Sequence, residues 1–176
     1  VLSGSLPISE LIYDQGFAAG RLFAAHASVG AVPLHAINGD VTALWYHDLY
    51  HRWRAGPGII AGLTDASALF CLEQLSRGCD RRVLLRIDHA PRADGRIAHR
   101  YRGPAELLPL AQRASARADW AEQMAHLVLR FPAAAAPPVQ GDLWLSPAEA
   151  STQPSEPLVT WLIAPRLPAA PAATPA

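Results

Sequence analysis

A chain of 176 residues with 51% hydrophobic content is long enough for one compact domain with a real core, and short for two. Fifteen basic and fifteen acidic residues cancel, so no long-range field draws nucleic acid, an anionic membrane or a strongly acidic substrate to it. Every basic residue is Arg: there is no Schiff-base, P-loop or general-base lysine, while arginine can still clamp carboxylate or phosphate.

No apolar run approaches the roughly 20 residues of a membrane-spanning helix, so no membrane insertion is expected. The chain begins at Val1 without a basic-then-apolar leader, which fits a mature form or a trimmed one. A first strand is expected over residues 10–13, followed by a nearly all-apolar, buried helix over 17–28 that stops at Gly30. Residues 32–37 read as a second strand. The helix after it, 41–54, ends at the Gly56-Pro57-Gly58 breaker and carries Trp45, Leu49 and Trp53 as its apolar stripe. The run 59–61 is a short third strand. The next helix takes Thr64, Asp65 or Ser67 as its N-cap, turns Leu69, Leu72 and Leu75 inward and closes at Gly78.

Val83, Leu85 and Ile87 alternate with Leu84, Arg86 and Asp88 in a fourth strand, and Asp94-Gly95 predicts a hairpin to residues 97–101. Trp120, Met124, Leu127, Val128 and Phe131 share one face of a last amphipathic helix. Residues 132–157 read as a long Pro- and Ala-rich surface loop with an apolar island at Leu143-Trp144-Leu145. A final strand follows over 158–163. The expected domain covers residues 1–164, with a disordered Pro/Ala tail over 165–176. Repeated strand-turn-helix units imply a single three-layer α/β domain, flavodoxin-like or Rossmann-like, with a mainly parallel sheet and an added hairpin.

Three strand ends carry an acid where they turn into a helix, and in open α/β sheets such turns are where ligands bind. Asp14 closes the first. In the second, Asp40 and Thr42 can contact a ligand hydroxyl or a metal, or can serve as a helix cap. In the third, Gly62, Thr64 and Asp65 meet a helix N-terminus whose free N–H groups favour a small carboxylate or phosphate. The full G-x-G-x-x-G is missing, so no dinucleotide is expected.

His47 and His51 have the H-x-x-x-H spacing of zinc peptidases, with Asp48 at the place of the usual Glu, but they fall opposite the apolar stripe and should face solvent. Arg86, His89, Arg92, His99 and Arg100 surround the hairpin and read as a solvated electropositive rim. Cys71 and Cys79, about 12 Å apart on one helix, cannot pair. Cys71 reads as a small core residue. No G-x-S-x-G and no local Cys-His pairing supports nucleophilic hydrolysis. No catalytic residue, metal or other cofactor is assigned.

The stretches Phe17-Ala18-Ala19-Gly20-Arg21, Gly39-Asp40-Val41-Thr42-Ala43-Leu44-Trp45-Tyr46 and Ala61-Gly62-Leu63-Thr64 resemble those of a group of small, uncharacterised, exported bacterial proteins. The resemblance covers the first half of the chain, implies a periplasmic location and brings no activity. The expectation is therefore a domain that binds a small anionic metabolite at the carboxyl ends of its parallel strands. The alternative is a non-catalytic accessory subunit that presents the aromatic and histidine faces of helix 41–54 to a second copy or to a larger protein partner.

Overall fold

The computed structural model describes residues 7–131, 143–145 and 156–165. Seven strands form one sheet: β1 (Ile8–Asp14), β2 (Leu34–Ile37), β3 (Ile59–Thr64), β4 (Arg81–Pro91), β5 (Ile97–Arg102), β6 (Leu143–Leu145) and β7 (Leu158–Pro165) lie in the order β2-β1-β3-β7-β4-β5-β6. The helices begin with α1 (Ala18–Ala27). A continuous stretch follows, made of α2 (Thr42–Leu44), a π-helical segment (Trp45–Leu49) and α3 (Tyr50–Ala55). Then come α4 (Ala66–Arg77), a 3-10 turn (Ala105–Leu107), α5 (Leu108–Ser115) and α6 (Trp120–Leu129). The fold is α/β. The tail expected from residue 165 lies outside the described residues except for Pro165, which ends β7, as does most of the loop expected over 132–157. Among the described residues no helix is long and apolar enough to cross a membrane.

Parallel pairing is confined to β2-β1-β3. The pairs β3–β7, β7–β4, β4–β5 and β5–β6 are antiparallel, which corrects the expectation of a mainly parallel sheet. The reason lies in β7: because it is antiparallel to both neighbours, β4 still runs in the direction of β3, as a strand-helix-strand unit requires. The last strand fills the gap between them, every residue from Leu158 to Ala164 buried.

Side chains alternate across the sheet into two buried layers, as the two-residue period of a strand dictates. Leu11, Ala61, Leu63 and Leu162 face one layer together with Phe23 of α1 and Met124, Leu127 and Val128 of α6. Ile12, Ile60, Trp161 and Ile163 face the other, with Trp45, Leu49 and Trp53 above them and Leu69 and Leu72 of α4 beside them. On helix 42–55 the buried positions Val41, Trp45, Leu49 and Trp53 recur every four residues, a spacing that drifts by about 40° per step in a regular α-helix. The wider π segment at Trp45–Leu49 takes up part of that drift.

Three local expectations are corrected. Leu143-Trp144-Leu145 is strand β6 paired with His99–Tyr101 of β5, with Leu145 buried and Trp144 outward. Leu69 and Leu72 hold the inward stripe of α4, and Cys71 is rotated out of it and exposed. The hairpin rim divides: Arg86 and Arg100 converge on Asp88, while His89 and His99 are buried.

Candidate metal centre

At the carboxyl ends of the strands, the chain's own hydrogen bonds engage the acid-bearing turns. Asp14 is buried, and its carboxylate accepts the N–H groups of Gly16 (2.8 Å) and Gly39 (2.9 Å), tying the first turn to the second. Gly39 needs the permissive backbone, with φ of +77°. Asp40 is exposed and accepts the Thr42 N–H at 2.8 Å; the Thr42 hydroxyl and N–H hold its carboxyl below the usual range. Gly62 sits within β3 rather than in a turn, where an added Cβ would lie 2.2 Å from the Ile12 carbonyl oxygen and 2.8 Å from the Trp161 ring. The buried Thr64 hydroxyl donates to the Asp65 carbonyl (2.9 Å) and accepts the Trp161 indole N–H (3.0 Å). Asp65 is the N-cap of α4, accepting the Ala68 N–H at 2.7 Å. Asp14 and the Gly39 turn are thus brought together. Thr64 and Asp65 serve the third turn and its helix.

A different set of ionisable side chains converges under helix 42–55, on the edge formed by β1 and β2. Glu10, near the start of β1, is 1% exposed. His35 comes from the edge strand β2 and Asp48 from the π-helical segment, and one ligand atom from each of the three lies within 4.8 Å of the others. His35 Nε2 is 3.0 Å from Glu10 Oε2 and 3.7 Å from Asp48 Oδ2. Arg52 takes the remaining oxygens: its Nη1 is 3.3 Å from Glu10 Oε1, and its Nε donates to Asp48 Oδ1.

Each of these residues is placed by an identifiable local feature. The pairing of β1 with β3 jumps from Ile8↔Ile59 to Glu10↔Ile60, leaving Ser9 as an extra residue whose hydroxyl bonds to the Ile59 carbonyl (3.0 Å). This bulge flips Ile8 into the Leu11 layer, while Glu10 stays on the Ile12 side by ordinary alternation, beneath the helix. His35 pairs with Ile12 and shares that face with Ile37. Asp48 and Arg52 stand at i,i+4 on the helix, one inside the π segment and one just past it. Bulges and π segments both recur where a side chain has to be re-aimed toward a site.

The electrostatics are unbalanced. Burial pushes the Glu10 carboxyl above the usual carboxylate range, against the opposing pull of Arg52 and His35. With His35 neutral, two carboxylates face one guanidinium. Glu10 Oε2 and His35 Nε2 are both buried and lie 3.0 Å apart, an ion pair when the imidazole is protonated and two lone-pair atoms outside N–H···O geometry when it is neutral. Two lone-pair atoms held at that distance outside hydrogen-bonding geometry are placed as two ligands of one ion are. Bonds of about 2.0–2.2 Å at tetrahedral or octahedral angles separate neighbouring ligand atoms by about 2.8–3.6 Å. One imidazole and two carboxylate oxygens are a donor set for Zn²⁺, Mn²⁺ or Fe²⁺ rather than for Ca²⁺.

No protein-family model, curated protein sequence or solved structure matches the chain. Function therefore has to be argued from the site itself.

His47 and His51 are exposed on the face away from Trp45, Leu49 and Trp53, as their spacing predicts, and they do not join the cluster. Tyr46 and Phe70 are exposed beside a surface cavity of about 280 Å³ that Trp45 and Leu75 also line. Sequence reasoning missed Glu10, His35 and Arg52, and met Asp48 only as part of the histidine motif. The available signal was a carboxylate and an imidazole within apolar strand segments, with an acid and an arginine at i,i+4 on the helix that covers them.

A second buried polar cluster lies across the sheet. His89 and His99 face each other from β4 and β5 with their Nδ1 atoms 2.7 Å apart, and His89 Nε2 is 2.7 Å from the Thr160 hydroxyl. Trp120 tilts over His89 at 4.4 Å between ring centroids. Burial holds His99 down to about 4, and burial with the neighbouring His99 holds His89 well below its ordinary value.

Proposed function

We propose that this chain is a small-molecule-binding domain that works through a divalent transition-metal ion held by Glu10, His35 and Asp48. The observation that carries the reading is the convergence of the buried Glu10 Oε2 and His35 Nε2, 3.0 Å apart, with Asp48 Oδ2 3.7 Å from the imidazole. Three protein ligands leave coordination positions open for an exogenous group, the arrangement of catalytic rather than structural metal sites. The reading moves the site away from the strand carboxyl ends, where a Rossmann-like or flavodoxin-like domain would bind. Arg52 supports it by occupying Oε1 and Oδ1, which leaves one oxygen of each carboxylate to the ion.

Metal binding is expected to raise thermal stability. A ligand that binds only the folded chain contributes about 2.7 kcal/mol at 100 times its dissociation constant. Differential scanning fluorimetry with Zn²⁺ and Mn²⁺ should show this rise in the wild type and lose it in Asp48→Asn and in Glu10→Gln. Because bound ligands must be deprotonated, the shift should shrink as pH is lowered and Glu10, its carboxyl already pushed up by burial, takes up a proton. A metal-induced rise of equal size in all three proteins would contradict the assignment.

A further inference from the structure

Resting on the metal reading above, we infer that the ligand of this centre is a small oxyanion, a carboxylate or a phosphate, which binds the ion with one oxygen and Arg52 with another. A groove of about 300 Å³ opens on the metal-ligating residue Glu10 itself and runs between the start of β1 and the end of α3. Apart from Glu10, its charged lining residues are Arg52 and Arg81; Ser9, Trp53 and the Gly56-Pro57-Gly58 turn supply the rest. Arg52 is half exposed, and its Nη2 has no partner among the described residues, Nε and Nη1 being used on Asp48 and Glu10.

Arg81 brings a second cation to the groove, this one buried, 3% exposed. Its guanidinium donates to the carbonyls of Trp53, Gly56 and Gly58 and lies over the Trp53 ring at 4.6 Å. Those partners are neutral, and its Nε, also buried, has none. The charge count sets the order of binding. With His35 neutral, Glu10, Asp48, Arg52 and Arg81 sum to zero; a divalent ion turns that to +2. An anion therefore meets no net charge at the metal-free site and is attracted by the loaded one.

The two bindings must then be thermodynamically linked, each tightening the other by the same factor. Equilibrium dialysis of Mn²⁺ against the full chain reads this directly, with inorganic phosphate, malonate or the neutral malonamide present at a fixed concentration. Phosphate or malonate should lower the Mn²⁺ dissociation constant by about fivefold or more, the lower end of common coupling factors, and malonamide should not. Complexation of Mn²⁺ by the anion in solution acts in the opposite direction. The stronger of the two anions identifies the source of the oxyanion. Arg52→Gln should lose the linkage, its Mn²⁺ dissociation constant being the same with phosphate or malonate as with malonamide. Mn²⁺ binding without linkage to either anion, or full linkage in Arg52→Gln, overturns this inference alone. Absence of Mn²⁺ binding in the wild type overturns the metal reading and this inference with it.

Discussion

The hydroxyl of Thr64 is donor and acceptor at once inside the protein, and Thr64→Val keeps the shape while removing both bonds. The buried Trp161 indole N–H is then left without its partner, a loss of about 1–3 kcal/mol. Gly62→Ala should cost more. Its Cβ would overlap the Ile12 carbonyl at 2.2 Å, and a neighbouring strand's backbone yields less readily than a side chain. Urea unfolding of both variants measures this; a change below about 0.5 kcal/mol in either would contradict the packing described. These two residues also mark what the sequence could tell. A glycine and a threonine near a strand end read as a ligand turn until β3 is seen to extend through Thr64, with Trp161 arriving from 97 residues away. Glu10 was visible as an acid beside an apolar run. Its spacing of two residues from Ile12 gives the face it takes, but not that His35 and the helix carrying Asp48 cover that face.

Among the elements, helices with a wide apolar stripe were legible: Trp45, Leu49 and Trp53 are buried as read, and α6 buries Trp120, Met124, Leu127 and Val128. Helix α5 was not. Its buried residues are Ala111, Ala114 and Ser115, too small to mark a face, and Pro109, accommodated in its first turn, reads in sequence as a breaker. The β4–β5 hairpin was legible from Asp94-Gly95, but its two inward histidines were read as solvated because the sequence does not show that Thr160 and Trp120 cover them. Their burial gives the hairpin a pH dependence. A base whose pKa is lowered on folding favours the folded state fully above its unfolded value, 6.5, and that advantage is lost as pH falls toward about 4. At 1.36 kcal/mol per pH unit, His99 alone accounts for a loss on the order of 3 kcal/mol across that window. Urea midpoints measured between pH 7 and pH 4 should fall accordingly. The slope should flatten in the double variant His89→Leu with His99→Leu, which removes both partners of the bond together. An unchanged slope in that variant would place the acid sensitivity elsewhere.

For the molecule as a whole, the last described strand is the middle of the sheet. β7 pairs with β3 on one side and β4 on the other, and it contributes Val159, Trp161 and Ile163 to one layer and Leu158, Leu162 and Ala164 to the other. A chain ended before residue 158 should not fold cooperatively, because β3 and β4 would each lose a hydrogen-bonded neighbour and the Trp161 contact with Thr64 would be gone. Circular dichroism melts check this; a sigmoidal transition near that of the full chain would contradict it. Sequence periodicity identified the α/β class and the strand-helix order of the first half. It could not place a C-terminal strand between two strands read far earlier, because pairing at such separation leaves no local mark. The same topology sets β2 at the sheet edge, where His35 meets Glu10 and Asp48 under the helix. The most direct test of that meeting is a crystal of the Mn²⁺- or Zn²⁺-soaked protein with data collected at the metal's absorption edge. An anomalous peak is expected about 2.0–2.3 Å from His35 Nε2, Glu10 Oε2 and Asp48 Oδ2, with Arg52 still on the outer oxygens. A metal-free cluster with the His35 imidazole hydrogen-bonded to Glu10, or a peak only at the exposed His47 and His51, would contradict it.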